Sequence, residues 1–451
     1  MLPIVTPEEM GAVDRAAPEP VEVLIDRAGW AVARQAITML GGTYGRRVVV
    51  VAGKGNNGND GRAAATRLRR CGVRVDVVDA ADAEGSRLRA ADLVIDAAYG
   101  TGFRGTYRAP EPGGAPVLAV DIPSGVNGLT GEADDGAVQA SATVTFAALK
   151  PGLVLLPGRL RAGDVHLVDI ELDVSRARAH LVEATDVASW LPAVPAESHK
   201  WKAAVWLVAG SPGMTGAATL AARGAQSAGA GYVRLSSPGV PTTTAIGAPV
   251  EVVRTDLPGT AWHTDVLEGL ERFAAVLVGP GLGLGDDTAA SVRDIAANAA
   301  VPVVVDGDGL TALGAGGGGV TGATTVLTPH DGEYARLAGH PPGPDRFAAA
   351  RALAARTSAV VLLKGSTTIV AAPDGEVLVT TTGDARLATA GTGDVLAGII
   401  TALLARGVEP LHAAAAGAWL HGRASTLGHR HGLVASDVAA HLPEVLDDLE
   451  A

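Results

Sequence analysis

Residues 48–61 read VVVVAGKGNNGNDG, a run of valines that passes directly into a loop rich in glycine and asparagine. Residues 48–52 are apolar at consecutive positions, which is typical of a strand buried on both faces of a parallel sheet. The segment that follows, residues 61–71, has small or apolar residues at helical spacing. A strand, a glycine-rich turn and a helix in succession predict an open α/β domain.

Two series of such strands follow one another along the chain. A polar stretch at 175–197, interrupted by prolines, separates them. The two series show no obvious mutual similarity, so the sequence predicts two different α/β domains, at 1–180 and 184–451. A hairpin with the turn Pro373-Asp374-Gly375 joins the last two strands. The predicted strands are 48–52, 73–78, 93–97, 117–122, 142–147 and 165–170, then 204–209, 232–236, 276–278, 301–305, 325–327, 360–364, 368–372 and 377–381, with helices at 394–405 and 411–427.

The composition excludes several classes of protein. The 451 residues carry a formal net charge of −12 and no run of Lys or Arg, which argues against a nucleic-acid-binding protein. The single cysteine, Cys71, cannot form an internal disulfide, which fits a reducing compartment. The N-terminal residues lack the pattern of a secretory signal, and no apolar run reaches the roughly 18 residues of a membrane span. We therefore expect a cytoplasmic protein without a membrane partner.

The loop after the first strand is suited to an anion or a hydroxyl-rich ligand. Glycines at a strand-to-helix turn let backbone amides approach an anion. The loop is not a Walker loop, because no Gly-Lys-Ser/Thr closes it. It is not a dinucleotide loop either, because asparagines and an aspartate stand where that loop needs small residues. Asn57 and Asp60 offer oxygens for hydroxyl groups or a hard cation. A tight turn stabilised by asparagine is the structural alternative.

Two further strands end in loops of the same character, DAAYGTG at 96–102 and DIPSG at 121–125. The carboxyl ends of parallel strands meet at one edge of the sheet, where ligands bind. Lys150 follows another strand and could reach the same edge, where it would form an acid/base pair with Asp121. Helix caps for the aspartates and a surface position for the lysine are the alternatives.

The motifs GNNGNDG, DAAYGTG, VDIPSG and TFAALKPG resemble those of the NAD(P)H-hydrate epimerase family, the YjeF N-terminal domain. The resemblance covers residues 1 to about 173 and implies a Rossmann-like three-layer fold. By position, it implies Asp121 and Lys150 as the residues that transfer protons. It implies Asn57, Asp96 and Ser124 as ligands of K⁺. The substrate-binding residues that it implies are Asn56, Asn57, Gly58, Asn59, Asp60, Gly100, Thr101, Gly102, Phe103, Arg104, Gly105 and Thr106.

Two features depart from that family. Asn59 replaces a glycine and adds a side chain where the substrate would lie close to the backbone. The stretch 108–116 is too short for the helix expected before VDIPSG.

The strongest motif of the second domain is Ala390-Gly391-Thr392-Gly393-Asp394, which opens an apolar helix. Successive amides at a helix N-terminus form an anion hole for a phosphoryl group. An aspartate at the edge of that hole can take the proton from an attacking hydroxyl. The pattern predicts phosphoryl transfer with Asp394 as the base, and a simple helix cap is the alternative.

The second-domain motifs resemble those of the ADP/ATP-dependent NAD(P)H-hydrate dehydratase family, which is ribokinase-like. The shared segments include GSPGMTGAA (210–218), GPGLG (279–283), LTPHDGE (327–333), LKGSTT (363–368) and GTGDVLAG (391–398). Asp331 stands where the family has proline. By position, Ala217, Gly281, His330 and Asp394 would contact the hydrated nucleotide. ADP or ATP, with Mg²⁺, would be held by Lys364, Gly365, Ser366, Thr367, Thr368, Gly391, Thr392 and Gly393.

The order of the two domains is that of the bifunctional NAD(P)H-hydrate repair enzymes. The resemblance therefore implies a homo-oligomer that epimerises hydrated NAD(P)H and dehydrates it at the expense of ADP or ATP. Two alternatives stay open: a ribokinase-like kinase of a vitamin precursor, and a dehydratase whose first domain only binds or assembles.

Overall fold

Strands and helices alternate along the computed structural model, which describes residues 1–193, 195–244, 247–320 and 324–450. The chain divides into two compact units, Leu2–Ala179 and His180–Ala451, and the second also includes Met1. Each unit has apolar cores built mainly from Val, Leu, Ile and Ala. In the part of the chain that the structure describes, no helix combines the length and apolar character needed to cross a bilayer.

The strands of the first unit are β1 (Leu2–Ile4), β2 (Arg47–Ala52), β3 (Arg74–Asp79), β4 (Leu93–Ala97), β5 (Val117–Val120), β6 (Ala142–Phe146) and β7 (Asp164–Val168). Its helices are α1 (Pro7–Ala16), α2 (Val21–Leu40), α3 (Asn56–Arg70), α4 (Ala80–Ala83), α5 (Pro151–Val154) and α6 (Gly158–Ala162). A parallel sheet has the order β3-β2-β4-β5-β6-β7. Since the order reverses at β2, the loops after β2 and β4 diverge and leave a crevice at the carboxyl edge.

One face of this sheet is covered by α2 and α3, whereas loops cover part of the other. In the described structure, the connection from β4 to β5 contains no helix, which agrees with the shortness of residues 108–116. Aromatic rings fill the space instead. The ring of Tyr99 lies 4.4 Å from that of Phe103 and 5.1 Å from that of Tyr107.

The predicted strands of the first unit are confirmed, with changes at their ends. β5 stops at Val120 and β6 at Phe146, because the next residues, Asp121 and Ala147, have φ of 68° and 60°. An extended strand cannot continue through such left-handed backbone. The predicted glycine-rich loop is also shorter than expected, since α3 already begins at Asn56.

The strands of the second unit are β8 (Ala179–Leu181), β9 (Ala204–Val208), β10 (Tyr232–Ser236), β11 (Val253–Arg254), β12 (Ala275–Val278), β13 (Val303–Val305), β14 (Thr325–Leu327), β15 (Val360–Leu363), β16 (Thr368–Ala371) and β17 (Val377–Thr380). Its helices are α7 (Ala184–Trp190), α8 (Thr215–Ser227), α9 (His263–Gly269), α10 (Asp286–Asn298), α11 (Asp308–Leu313), α12 (Asp331–Ala338), α13 (Arg346–Thr357), α14 (Thr392–Ala405), α15 (Pro410–Leu427) and α16 (Ala435–Glu450). Short 3₁₀ helices occur at Lys200–Ala203, Leu270–Arg272 and Ala385–Leu387.

The sheet of the second unit has the order β8-β17-β16-β15-β14-β13-β12-β9-β10-β11. Strands β9 to β15 pair in parallel, and β15, β16 and β17 pair antiparallel as the predicted hairpin requires. Helices α8, α14, α15 and α16 bury their apolar faces against it. The predicted strand 301–305 begins only at Val303. The loops after β9, β12, β13, β14 and β15 all leave the same edge of the sheet.

Candidate active sites

A cavity of 620 Å³ opens at the carboxyl edge of the first sheet. It lies between the loops that follow β2, β4 and β5, where the sequence predicts a site. The predicted residues that line it are Asn56, Asn57, Asp60, Gly100, Thr101, Gly102, Phe103, Asp121 and Lys150. The predicted residues that do not are Gly58, Asn59, Asp96, Arg104, Gly105, Thr106 and Ser124. Asn59 lies within α3 but, unlike Asn57 and Asp60 of the same helix, is not part of the lining of the cavity.

Asp121 and Lys150 form a buried ion pair at the floor of the cavity. Lys150 Nζ lies 2.6 Å from Asp121 Oδ1, and the lysine side chain is 1% exposed. The ammonium also donates to Thr145 Oγ1 (2.8 Å) and to the carbonyl of Phe146 (3.2 Å). Burying a lysine is costly unless its charge is compensated, so these contacts hold it in a single position. The positive φ of Asp121 is backbone strain of the kind found at functional sites.

Asn57 faces the ion pair of Asp121 and Lys150 across a glycine. A Cβ added to Gly100 would lie 3.4 Å from both Asp121 Oδ2 and Asn57 Cβ, so a side chain at this position would crowd both groups. Among the residues that the structure describes, both amide atoms of Asn57 are buried without a hydrogen-bond partner. Because unpaired buried amide groups are costly, this amide is a candidate docking point for a ligand or a cation.

The other two predicted K⁺ ligands connect neighbouring loops. Ser124 Oγ donates to Asp96 Oδ1 (2.7 Å), and the backbone amide of Ser124 donates to Asp96 Oδ2 (2.8 Å). Tyr99 donates its backbone N–H to Ser124 Oγ at 2.9 Å. Burial raises the pKa of Asp96 to about 6, against the hydrogen bonds from Ser124 and Ala98. The oxygens of Asp96, Ser124 and Asn57 are hard donors of the kind that coordinate an alkali cation.

Three more carboxylates, those of Asp14, Glu19 and Asp60, line the cavity, and the sequence analysis identified only Asp60. Burial, followed by the charges of Asp121 and Asp14, raises the pKa of Asp60 to about 8. Burial and the charge of Asp121 likewise raise the pKa of Asp14, which lies on α1 and lines the cavity. The sequence did signal α1 itself, since Thr6 and Glu9 form a capping box. It gave no sign that this helix reaches the cavity.

In the second unit, Asp394 lies in the first turn of α14, next to the glycines that open it. Gly391 is the N-cap and has φ of 89°, a conformation that favours glycine. A Cβ built on Gly391 would lie 3.8 Å from Asp394 Oδ2, so the carboxylate borders the start of the helix. Burial and then the charge of Asp306 raise the pKa of Asp394 to about 7, while Lys364 opposes the shift.

Lys364 brings a positive charge to the same place. Its Nζ lies 2.8 Å from Asp306 Oδ1 and 3.8 Å from Glu333 Oε2. A Cβ on Gly393 would lie 3.5 Å from this ammonium. Burial disfavours the charge of Lys364, but Asp306 and Glu333 outweigh it and raise its pKa. A fixed cation beside the amides at the start of α14 suits a phosphoryl group.

The remaining predicted residues of this unit lie on nearby loops. A Cβ on Gly281 would lie 3.1 Å from Ala217 Cβ, so these two residues are neighbours. His330 caps α12, because its Nδ1 accepts from the amides of Gly332 (3.0 Å) and Glu333 (3.2 Å). The neutral ring therefore carries its proton on Nε2. Gly365, Ser366 and Thr367 form the turn between β15 and β16. Thr368 is the first residue of β16.

Comparisons with known proteins agree for both units. The family described as NAD(P)H-hydrate dehydratase matches residues 205–446. The family described as YjeF-related protein N-terminus matches residues 21–89 and 79–152. Among solved structures, the ADP/ATP-dependent NAD(P)H-hydrate dehydratase of Bacillus subtilis, crystallised with ATP and Mg²⁺, is 31% identical with a TM-score of 0.51. That match covers 59% of this chain and 97% of the other. A ribokinase-like protein of Enterococcus faecalis shares the fold at 22% identity and a TM-score of 0.55.

Curated relatives match across both units. A bifunctional NAD(P)H-hydrate repair enzyme of Moorella thermoacetica is 37% identical over 99% of this chain and 97% of its own length. The enzyme of the same name from Mycobacterium leprae is 40% identical over 90% of each chain. Since the matches extend over both units and both sets of motifs, this chain belongs to the family of bifunctional NAD(P)H-hydrate repair enzymes.

Proposed function

We propose that the second unit dehydrates hydrated NADH or NADPH at the expense of ADP or ATP, and that the first unit interconverts the two epimers of the hydrate. The observation that carries the first activity is the position of Asp394 at the start of α14, with Lys364 beside Gly393. The buried pair of Asp121 and Lys150 carries the second.

Dehydration begins with phosphorylation of the ring hydroxyl. Asp394 takes the hydroxyl proton, and the oxygen attacks the terminal phosphoryl group of the nucleotide. The rest of the nucleotide is the leaving group, which is AMP when ADP is used. The amides of Gly391, Thr392 and Gly393 stabilise the transferring group, and Lys364 offsets its charge. Phosphate is a much better leaving group than hydroxide. Its C–O bond then breaks, a neighbouring ring carbon loses a proton, and the dihydropyridine double bond is restored.

Epimerisation needs reversible opening of the C–N bond at the hydrated carbon, with proton transfer at the hydroxyl oxygen and at the ring nitrogen. Asp121 takes the hydroxyl proton as the C–N bond opens to a carbonyl, and the nitrogen receives a proton from Lys150. Closure on the other face of the carbonyl returns both protons and yields the other epimer. Because Lys150 Nζ and Asp121 Oδ1 lie 2.6 Å apart, the pair can exchange the proton without rearrangement.

The donors beside the first cavity fit a potassium ion. Asn57 in its lining offers an unpaired buried amide, and Asp96 and Ser124, which bond the lining residues Ala98 and Tyr99, offer oxygens. When bound, the ion would supply positive charge for the phosphate groups of the substrate. Mg²⁺ is a different case. The described residues contain no group of three or more His, Cys, Asp or Glu side chains that could hold a metal. We therefore assign Mg²⁺ to the nucleotide phosphates, where it usually binds.

The decisive experiment supplies chemically hydrated NADPH, with and without ADP or ATP, and follows recovery of dihydropyridine absorbance. We expect recovery that depends on nucleotide and releases free phosphate. Asp394→Ala should lose it, and near-normal conversion by that variant would contradict the assignment. A stable phosphorylated product, without recovered absorbance, would instead identify a kinase of the ribokinase-like class.

The epimerase is tested separately with the same variant. Asp394→Ala protein receives one pure epimer of the hydrate, and formation of the other is followed by chromatography. The buried ion pair favours a catalytic first unit, because a module that only binds or assembles has no need of a buried lysine. Failure to form the second epimer, with the dehydratase active in the unmodified protein, would favour the binding module.

We also expect a cytoplasmic homo-oligomer, an expectation that rests on the family alone. Light scattering of the purified protein would measure its assembly.

A further inference from the structure

A side-chain pair outside the predicted sites lies against the loop assigned to the adenine nucleotide. Arg346, the first residue of α13, donates from Nη1 to Asp331 Oδ2 (3.0 Å) and from Nη2 to Asp331 Oδ1 (2.9 Å). Such two-pronged pairing is the strongest geometry that arginine and a carboxylate adopt.

The same guanidinium reaches the next loop. Arg346 Nη2 also donates to the carbonyl oxygen of Lys364 at 3.1 Å. A Cβ on Gly365 would lie only 3.0 Å from that nitrogen, so Arg346 is in contact with the backbone at both residues. The arginine side chain is 21% exposed, which is low for a residue at a loop edge. Arg346 thus ties the start of α12 to the turn between β15 and β16.

This turn matters because of what lies on each side of it. Lys364 places its ammonium beside Gly393, and Gly365 and Ser366 are exposed. On the other side, Asp331 follows His330, which caps α12. The amide of Lys364 also donates to the carbonyl of Pro329 at 2.8 Å. That bond restrains one side of Lys364, and Arg346 restrains the other.

We infer that Arg346, held by Asp331, is a positioning residue that fixes the backbone of Lys364 and Gly365 for binding of the adenine nucleotide. This inference rests on the proposed function of the second unit. Arg346 acts through the loop and takes no part in proton or phosphoryl transfer. Its loss should therefore weaken nucleotide binding and leave turnover at saturating nucleotide almost unchanged.

The test uses the full-length protein, two single variants, their combination and a control variant. Arg346→Lys keeps the positive charge but cannot bond Asp331 and the Lys364 carbonyl in the same fork. Asp331→Asn leaves the arginine without its charged partner. Arg351→Lys is the matched control, since Arg351 lies on the same helix and donates to the carbonyl of Gly375 at 2.9 Å, in the hairpin turn.

We expect Arg346→Lys to raise the KM and the Kd for ADP about tenfold, the size of one lost charge-assisted hydrogen bond. kcat should fall less than twofold. Asp331→Asn should shift both constants in the same direction by a smaller factor, and the double variant should be no worse than Arg346→Lys alone. The control should leave both constants within a factor of two.

An unchanged KM and Kd for ADP in folded Arg346→Lys would overturn the inference, as would a fall in kcat with normal nucleotide affinity. If Arg346→Lys does not fold, Asp331→Asn decides in the same way. Measuring the Kd of ADP by calorimetry separates this inference from the proposed function. Wild-type protein that binds ADP but does not repair the hydrate would refute that function and still allow the role of Arg346 to be tested.

Discussion

Replacing Asp394 by asparagine should remove the dehydratase activity and at the same time stabilise the second unit. The side chain keeps its shape but loses the carboxylate that accepts the hydroxyl proton. Loss of a general base typically costs a factor of 10² to 10⁴ in rate. The gain in stability arises because the folded protein resists ionisation of Asp394, whose pKa is raised from 3.8 to about 7.

The size of the stability gain follows from that difference in pKa. A shift from 3.8 to about 7 corresponds to a ceiling of about 4 kcal/mol at 1.36 kcal/mol per unit. Solvent reaches part of the side chain, so screening should reduce the effect to about 1–2 kcal/mol. Since the folded-state pKa is the higher one, ionisation costs nothing below about pH 4. The cost grows as the pH rises to about 7 and is constant above it.

Urea unfolding at pH 5 and pH 8, without nucleotide, measures this effect. Five of the six tryptophans belong to the second unit, so their fluorescence reports mainly on its unfolding. Asp394→Asn should be more stable than wild type at pH 8, and the gain should be smaller at pH 5. Asp447→Asn, at an exposed position of α16, is the control. An equal gain at both pH values, or a loss at pH 8, would refute the electrostatic reasoning.

Three further changes test other parts of the molecule. Asp121→Asn should lower epimerase activity at least a hundredfold. It should spare the fold and the dehydratase, because asparagine tolerates the left-handed backbone at this position. Normal turnover of a pure epimer would exclude a catalytic Asp121. Gly398→Ala should destabilise the second unit by about 2 kcal/mol, although alanine has the better helix propensity. The reason is that the new Cβ would lie 2.1 Å from the carbonyl oxygen of Ala221. A higher urea midpoint would show that α8 and α14 separate easily. In wild type, KCl should raise the Tm of the first unit more than choline chloride does. Asn57→Ala should abolish this difference between the two salts. An equal effect of KCl in both proteins would argue against potassium at Asn57.

Much of the fold was predictable because its signals are local. Each buried parallel strand is a short apolar run, and the segments after these strands carry their own glycines and polar residues. The predicted strands match the structure apart from their ends, where single residues such as Asp121 and Ala147 adopt positive φ. Such a choice depends on the surroundings of one residue, and no periodic pattern reports it.

The composition of the sites was also predictable in part. Asn57, Gly100, Asp121 and Lys150 line one cavity, as expected for loops at one edge of a parallel sheet. Asp394 and the glycines beside it open α14 as the motif predicted. The sequence did not reveal that Asn59 lies outside the lining of the cavity, because the residues of the loop that reach the lining are set by α3 beginning at Asn56.

By itself, the sequence determined the fold class, the order of the two domains and the motifs that place this chain in its family. Only the tertiary structure decided which charges meet. Asp14 reaches the cavity of Asp121 from the N-terminal helix, Lys364 pairs with Asp306 across 58 residues, and Arg346 bridges Asp331 and the Lys364 carbonyl. These contacts join segments that no local pattern relates. They exist because the packing of helices and strands within each unit brings distant parts of the chain to one edge of its sheet. Burial and the neighbouring charges at that edge then shift the pKa values of the groups that meet there.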